Sequence, residues 1–498
     1  MPKCRYISLF LLLLLVSLTA TAEDGPLQQQ LCRRGTPRPF TRSAAASRQP
    51  GGDFYKGDLH QLVVLAAFAD RPFKGDEAQT LEQWEKIFNT ENFSEEPFVG
   101  SVRDYFCAQS YDQFRPVFDL ECVVVDSLKK YSSTIRDDEY SQFLVIDVVD
   151  SLLKRDIDWS LYDWNGDGYI NQLLIVYAGK GSSYGGFGGG YDAIWPHQWW
   201  MSNHLDPVTQ TYRNPLDVTD GYNTWRVDCY CAVQELASNS TYGAFGTLCH
   251  EYSHCFGFPD FYGNQKLVDK WDLMDYGNYN GGGFHPCGYS AHERWLMDWL
   301  TPEEITTTAT ITDLPPLADE GRAYLLRNDG YDQEYYIVEH RQQSGWDQSL
   351  PGYGIVIFHI DYDPELWTSL DEPANGGSVN HYVLFHAGNT SRESDWAYPC
   401  EANDSLTNTS KPAATLNHAN IDGSMFMSKP ITRMALTDGL ASFDVFIDTP
   451  SSLLHLPSDF SHQSSVLYRL GPVTIVRDEK GRVHKIISRH SSPSTVRH

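Results

Sequence analysis

Three continuous apolar runs mark the first half of the chain. Gln61-Leu-Val-Val-Leu-Ala-Ala-Phe, Leu173-Leu-Ile-Val-Tyr-Ala and residues 228–236 predict strands, the first two buried by their unbroken apolar character. Gln113-Phe-Arg-Pro-Val-Phe-Asp-Leu alternates and predicts another strand. Helical spacing appears near residues 81–88 and over 139–153. In Gly100-Ser-Val-Arg-Asp-Tyr-Phe, Ser101 suits a helix N-cap and Asp104 supports the first turn. Strands and helices are thus interleaved, as in a mixed α/β arrangement.

Beyond Trp299-Leu-Thr-Pro302 the pattern changes. Short strand-like stretches at 306–312, 324–327, 334–340, 354–360, 382–385 and 441–447 are separated by Gly, Pro, Asp and Asn, which predicts an all-β unit. The Ser- and His-rich tail from Thr449 contains one hairpin pattern, Val473-Thr-Ile-Val to Val483-His-Lys-Ile-Ile. No internal repeat is present.

The N-terminus predicts secretion. Lys3 and Arg5 precede an apolar run from Ile7 to Leu18, and Ala20-Thr21-Ala22 offers small residues for cleavage before Glu23. That run is too short for a membrane anchor, which needs about 20 apolar residues. Residues 23–57 are polar, rich in Arg, Pro, Ser, Ala and Gly, and read as a pro-segment or leader. The expected layout is a signal peptide over 1–22, the leader over 23–57, a mixed domain over 58–302, a β-rich domain over 303–448 and a tail over 449–498.

Composition narrows the class. Among 498 residues, 41% are hydrophobic and 13% aromatic, which excludes wholesale disorder. Lys and Arg number 38 against 65 Asp and Glu, a net charge of −27. Such a chain repels nucleic acid and anionic membranes, so neither is expected as a partner. Of the 10 cysteines, Cys4 leaves with the signal, and in an oxidising compartment most of the odd remainder should pair. Sequons stand at Asn92, Asn239, Asn389, Asn403 and Asn408.

The chemistry concentrates in Thr247-Leu-Cys-His-Glu-Tyr-Ser-His-Cys-Phe-Gly-Phe-Pro-Asp-Phe-Tyr262. On a helix, His250 and His254 lie one turn apart on one face, so two imidazoles can hold one tetrahedral Zn²⁺. Glu251, beside the first ligand, can accept a proton from zinc-activated water. Gly257 can end the helix in a left-handed conformation, and Asp260 can return a carboxylate to the same metal. Glu293, in Ser290-Ala-His-Glu-Arg-Trp, is the rival third ligand. Three protein ligands leave a fourth position open, as catalytic zinc requires. Met274, in Trp271-Asp-Leu-Met-Asp-Tyr-Gly, is either a support beneath the metal or core filler, and Tyr276 either an oxyanion donor or packing.

Several stretches together resemble the M6 peptidase family, the immune inhibitor A type of secreted metalloproteases. They include Ala67-Phe-Ala-Asp-Arg-Pro-Phe73, Asp163-Trp-Asn-Gly-Asp-Gly-Tyr-Ile, Ile194-Trp-Pro-His197, the zinc helix with Gly257-x-Pro-Asp260-x-Tyr262, and Trp271-Asp-Leu-Met274. Glu334-Tyr-Tyr-Ile-Val-Glu339-x-Arg341-Gln and Leu350-Pro-Gly352-x-Gly354-Ile-x-Ile-x-His-x-Asp361 extend the likeness to about residue 448. The resemblance implies an α+β fold: a metzincin-like zinc peptidase domain, built of a mixed sheet and the zinc-binding helix, followed by the all-β domain. It also implies endopeptidase activity on protein substrates. Two positions depart from the family. Cys249 and Cys255 flank the helix where apolar residues are expected, and Asp298 stands where the family usually has Gly.

Two secondary sites are expected. Asp163, Asn165, Asp167 and Asn171 match the first nine positions of a calcium loop, although Leu174 replaces the final bidentate glutamate; an Asx-rich turn is the alternative. Cys32, beside Arg33 and Arg34, is a candidate thiolate for silencing a zymogen at the open zinc position; a disulfide to the catalytic domain or a free thiol is the alternative. The expected protein is a secreted, monomeric zinc endopeptidase with Zn²⁺ and Ca²⁺ as cofactors. The competing reading is a calcium-dependent extracellular binding protein with a vestigial zinc site.

Overall fold

The computed structural model describes residues 55–132, 140–184, 193–236, 242, 245–263, 265–367, 374–375 and 377–447, with the backbone of 465–470, 473–477 and 483–487. The signal peptide, Cys32 and nearly all of the leader lie outside the described residues. Strands and helices are mixed in an α+β architecture.

The central sheet collects the long apolar runs. It comprises β1 (Gly57–Phe68), β2 (Phe114–Val125), β4 (Leu173–Lys180), β5 (His197–Trp200) and β8 (Cys229–Leu236), in the order β2-β1-β4-β8-β5. Neighbours are parallel except β5, which runs antiparallel to β8 with His197 opposite Ala232. Leu62 to Ala66 on β1 and Leu173 to Tyr177 on β4 are fully buried, as expected for inner parallel strands covered on both faces. β2, on the edge, is less uniformly buried. A small sheet of β3 (Tyr169–Ile170), β6 (Leu216–Thr219) and β7 (Thr224–Val227) lies apart from it in pairing.

Helices α1 (Glu77–Asn89) and α3 (Ser141–Leu152) fall on the stretches of helical spacing, and α2 (Val102–Gln109) follows the expected cap at Ser101. α2 begins as expected: Ser101 Oγ accepts from Asp104 N–H at 3.1 Å, and Asp104 Oδ2 accepts from Ser101 N–H at 2.9 Å, a reciprocal cap.

Helix α4 (Phe245–His254) carries the two histidines and packs against β8 and β5. Its inner face explains itself residue by residue. The Tyr252 hydroxyl donates to Gln61 Oε1 at 3.0 Å and accepts from Gln172 Nε2 at 3.1 Å, which satisfies a fully buried polar group. Gly246 lets the helix touch a neighbouring loop, since a Cβ there would stand 1.9 Å from Asn278 O. The helix runs to His254, and the turn that follows it closes at Gly257, whose φ of 93° is left-handed, as anticipated.

After Leu300 the chain is dominated by strands. β9 (Glu303–Glu304), β11 (Tyr324–Asn328), β12 (Tyr331–Arg341), β13 (Gly354–Asp361) and β14 (Tyr382–Leu384) form a sheet ordered β14-β13-β12-β11-β9. β10 (Ala309–Leu314), β15 (Ile431–Thr437) and β16 (Leu440–Val445) form another, ordered β10-β16-β15. The described residues up to Val445 nevertheless make one compact unit, and one continuous hydrophobic core runs from Tyr55 to Ala397. Helix α5 (Ala291–Leu296) joins the two portions: Ala291 N–H donates to Glu339 Oε2 at 2.7 Å. The buried Arg341 guanidinium bonds Asp347 at 2.7 and 2.8 Å, Glu339 at 3.1 Å and the Gly288 carbonyl at 2.8 Å. A buried charge so fully paired is tolerated, whereas losing one partner is costly. The described residues from Phe446 on form a second unit, with β17 (Ser465–Leu470), β18 (Val473–Arg477) and β19 (Val483–Ile487) in one antiparallel sheet.

The expected cysteine pairing is not seen. All eight described cysteines are unbridged, and five of them, Cys229, Cys231, Cys249, Cys255 and Cys287, are buried. Burial pushes the Cys231, Cys249, Cys255 and Cys287 thiols well up, so they stay protonated. Cys249 and Cys255 thereby serve as the small apolar residues their positions call for. Asp298 also finds its explanation: its φ is 55°, a left-handed conformation that glycine adopts freely and aspartate tolerates.

Candidate metal centre

The cleft around α4 encloses about 510 Å³ including open solvent, and its walls include Trp195, Pro196, Tyr276, Tyr279 and Glu251. His250, His254 and Asp260 also border it. One ligand atom from each lies within 4.8 Å of the others, the only such cluster of His, Cys, Asp or Glu among the described residues. Asp260 Oδ1 stands 3.3 Å from Nε2 of each imidazole.

Backbone carbonyls set both rings. His250 Nδ1 lies 2.8 Å from Leu273 O, and His254 Nδ1 lies 2.7 Å from Phe258 O. A carbonyl can only accept, so each Nδ1 carries a hydrogen and each ring turns its Nε2 toward Asp260. Asp260 Oδ2 accepts from the Tyr262 hydroxyl at 2.7 Å, while its buried Oδ1 has no hydrogen bond. Two ring nitrogens and a buried carboxylate oxygen without a hydrogen bond thus converge on one point, and a cation among the three turns the cost of burying them into coordination. These residues therefore fit a metal ion with an N₂O donor set.

The same geometry perturbs protonation. Burial opposes charge on His250, but the Asp260 carboxylate beside it and the Glu251 charge outweigh burial and hold its pKa at about 9. Burial likewise opposes charge on Asp260, yet the two imidazoles hold its carboxyl well below the usual range. A metal must displace the His250 proton at neutral pH. Apparent metal affinity is thus expected to rise about tenfold per pH unit for that proton and to level off above about 9. Competition titrations against a chelator of known pH dependence check this; a flat profile would contradict it.

Of the other sequence candidates among the described residues, Tyr276 reaches the cleft and the rest do not border it. Glu293 is fully buried and caps α5, its Oε2 accepting from Ser290 N–H at 2.7 Å. Met274 is fully buried, and its carbonyl accepts from Phe261 N–H at 2.9 Å. Tyr276 lines the cleft, half-buried. In the 163–171 loop, Asp163 accepts from Asp167 and Gly168 N–H at 3.1 and 3.0 Å. Asn171 Oδ1 there accepts from Trp164 N–H at 2.7 Å, and Asn165 Nδ2 donates to Asp167 Oδ2 at 3.2 Å. Those bonds describe an Asx-rich turn. The orienting groups Leu273 O, Phe258 O and the Tyr262 hydroxyl are additions to the sequence reading. Only Tyr262, two residues from Asp260, carried a side-chain signal.

Part of the chain has counterparts among known proteins. Residues 58–301 match the immune inhibitor A peptidase M6 catalytic domain, and this region belongs to the M6 peptidase family. The chain is 25% identical to immune inhibitor A of Bacillus thuringiensis subsp. alesti over 283 residues, covering 48% of this chain and 40% of that one. It is 27% identical to the pre-pro-metalloprotease PrtV of Vibrio cholerae serotype O1 over 165 residues, covering 29% of this chain and 17% of that one. The chain therefore spans less than half the length of either relative.

Proposed function

We propose that this chain is a secreted zinc endopeptidase, its metal held by His250, His254 and Asp260 and its proton transfers carried by Glu251. The carrying observation is the convergence of two imidazole Nε2 atoms on the buried Asp260 Oδ1, which has no hydrogen bond, at an open cleft. Zinc held there would supply Lewis-acid polarisation of the scissile carbonyl and acidify the attacking water. Glu251, on the same helix and in the same cleft, takes the water's proton as general base and returns it to the leaving amine as general acid. Trp195, Pro196, Tyr276 and Tyr279 offer apolar and aromatic walls for a polypeptide. A metzincin-like catalytic fold with a β-rich continuation suits the element order. Secretion rests on the N-terminal signal pattern, and calcium binding rests on the spacing of Asp163, Asn165, Asp167 and Asn171.

Neither the family match nor the metalloprotease relatives favour a binding protein with a vestigial site. Casein zymography tests the choice. Clearing should vanish with phenanthroline and return with added zinc. No clearing by a folded, zinc-loaded chain would refute the endopeptidase.

A further inference from the structure

The strands after Leu300 reach into the metal centre through a chain of buried hydrogen bonds. Tyr382, the first residue of β14, is fully buried, and its ring stacks on Phe261 with centroids 3.9 Å apart and planes 17° apart. Its hydroxyl donates to Asp272 Oδ2 at 2.9 Å and lies 2.8 Å from Ser290 Oγ. The other Asp272 oxygen accepts from Met274 N–H at 2.8 Å. Between those two residues stands Leu273, whose carbonyl accepts from His250 Nδ1.

A second tie reaches the other flank. Asn375 Nδ2 donates to the Phe261 carbonyl at 2.7 Å and to the Tyr382 carbonyl at 2.6 Å. Its Oδ1 accepts from Tyr382 N–H at 3.0 Å. Phe261 follows Asp260 directly, and a Cβ on Gly263 would stand 2.3 Å from Asn375 O, so the two segments are in close contact. Tyr382, Asp272 and Asn375 are at most 2% exposed and do not border the cleft. They cannot meet a substrate; they can only hold what does.

We propose that Tyr382 is a positioning residue of the metal centre: through Asp272, its hydroxyl sets the Leu273 carbonyl that fixes the tautomer and aim of His250. The inference rests on reading His250, His254 and Asp260 as the metal ligands, and it gives the strand-rich half a part in building the site. Partners that orient a ligating histidine typically govern metal affinity by about 10- to 100-fold.

The test uses the full chain and measures zinc affinity by chelator competition, with the absorption spectrum of the cobalt-substituted protein as a second readout. Tyr382→Phe keeps the ring and its stacking but removes the hydroxyl. Tyr336→Phe, on β12, is the matched control: its fully buried hydroxyl donates to Thr415 O at 2.6 Å, away from the centre. Tyr382→Phe should weaken zinc binding at least about tenfold and alter the cobalt bands, while Tyr336→Phe changes neither even if it lowers the unfolding temperature. Tyr382→Phe affinity within about threefold of wild type, or an equal loss in Tyr336→Phe, would overturn the proposal. Should Tyr382→Phe fail to fold, Asp272→Asn decides, because an amide cannot accept from both the Tyr382 hydroxyl and the Met274 N–H: weakened binding supports the chain, wild-type binding ends it. A wild-type protein that binds no zinc would instead bring down the ligand assignment beneath it.

Discussion

Glu251→Gln is expected to lose peptide hydrolysis by about 10²- to 10⁴-fold, the usual worth of a positioned acid–base group. The substitution preserves shape and removes the only function asked of the residue, since an amide does not take up a proton at neutral pH. Metal content should stay at about one ion per chain, because the ligand set does not include this side chain. The rings of His250 and His254 are held by Leu273 O and Phe258 O, which the change leaves alone. Single-turnover cleavage of a quenched peptide, paired with metal analysis of the same sample, separates the two effects. Turnover near wild type would remove Glu251 from the mechanism; loss of metal along with activity would make it a structural residue.

The second large effect concerns the third ligand. Asp260→Ala is expected to weaken zinc binding by more than about a hundredfold, beyond what outer-shell changes cause. It deletes the oxygen that lies 3.3 Å from both Nε2 atoms. Glu293→Gln should leave affinity nearly unchanged. Burial and the nearby Asp272 charge push the Glu293 carboxyl well up, and glutamine keeps its shape without adding charge. The amide oxygen can still accept from Ser290 N–H, preserving the cap of α5. Isothermal titration of both variants with zinc distinguishes the two carboxylates, and the reverse ranking would reassign the third ligand.

Local patterns in the chain revealed much of this architecture. The runs at 61–68 and 173–178 were legible because inner parallel strands are apolar on both faces. The His250–His254 spacing was legible because one turn of helix is a local rule. Strand β15 was not, since a register shift between Thr432 and Ala435 breaks the alternation that would have betrayed it. The composition shift near Pro302 marked a change of element type, while the core runs through it without a break. At the site, the carbonyls of Leu273 and Phe258 belong to the backbone and leave no mark in residue type. Tyr382 and Asp272 meet only through folding, 110 positions apart.

Tyr55 lies within the segment read as a leader, yet it is 4% exposed. Its hydroxyl donates to Cys255 O at 3.1 Å, and its own carbonyl accepts from Trp299 Nε1 at 3.0 Å. Its ring also packs edge-on against Phe114, Trp164 and Phe256. Any trimming that matures this polypeptide must therefore stop upstream of Tyr55. A cut even a few residues further along would pull a plug from behind the histidine helix and leave its apolar back open to water.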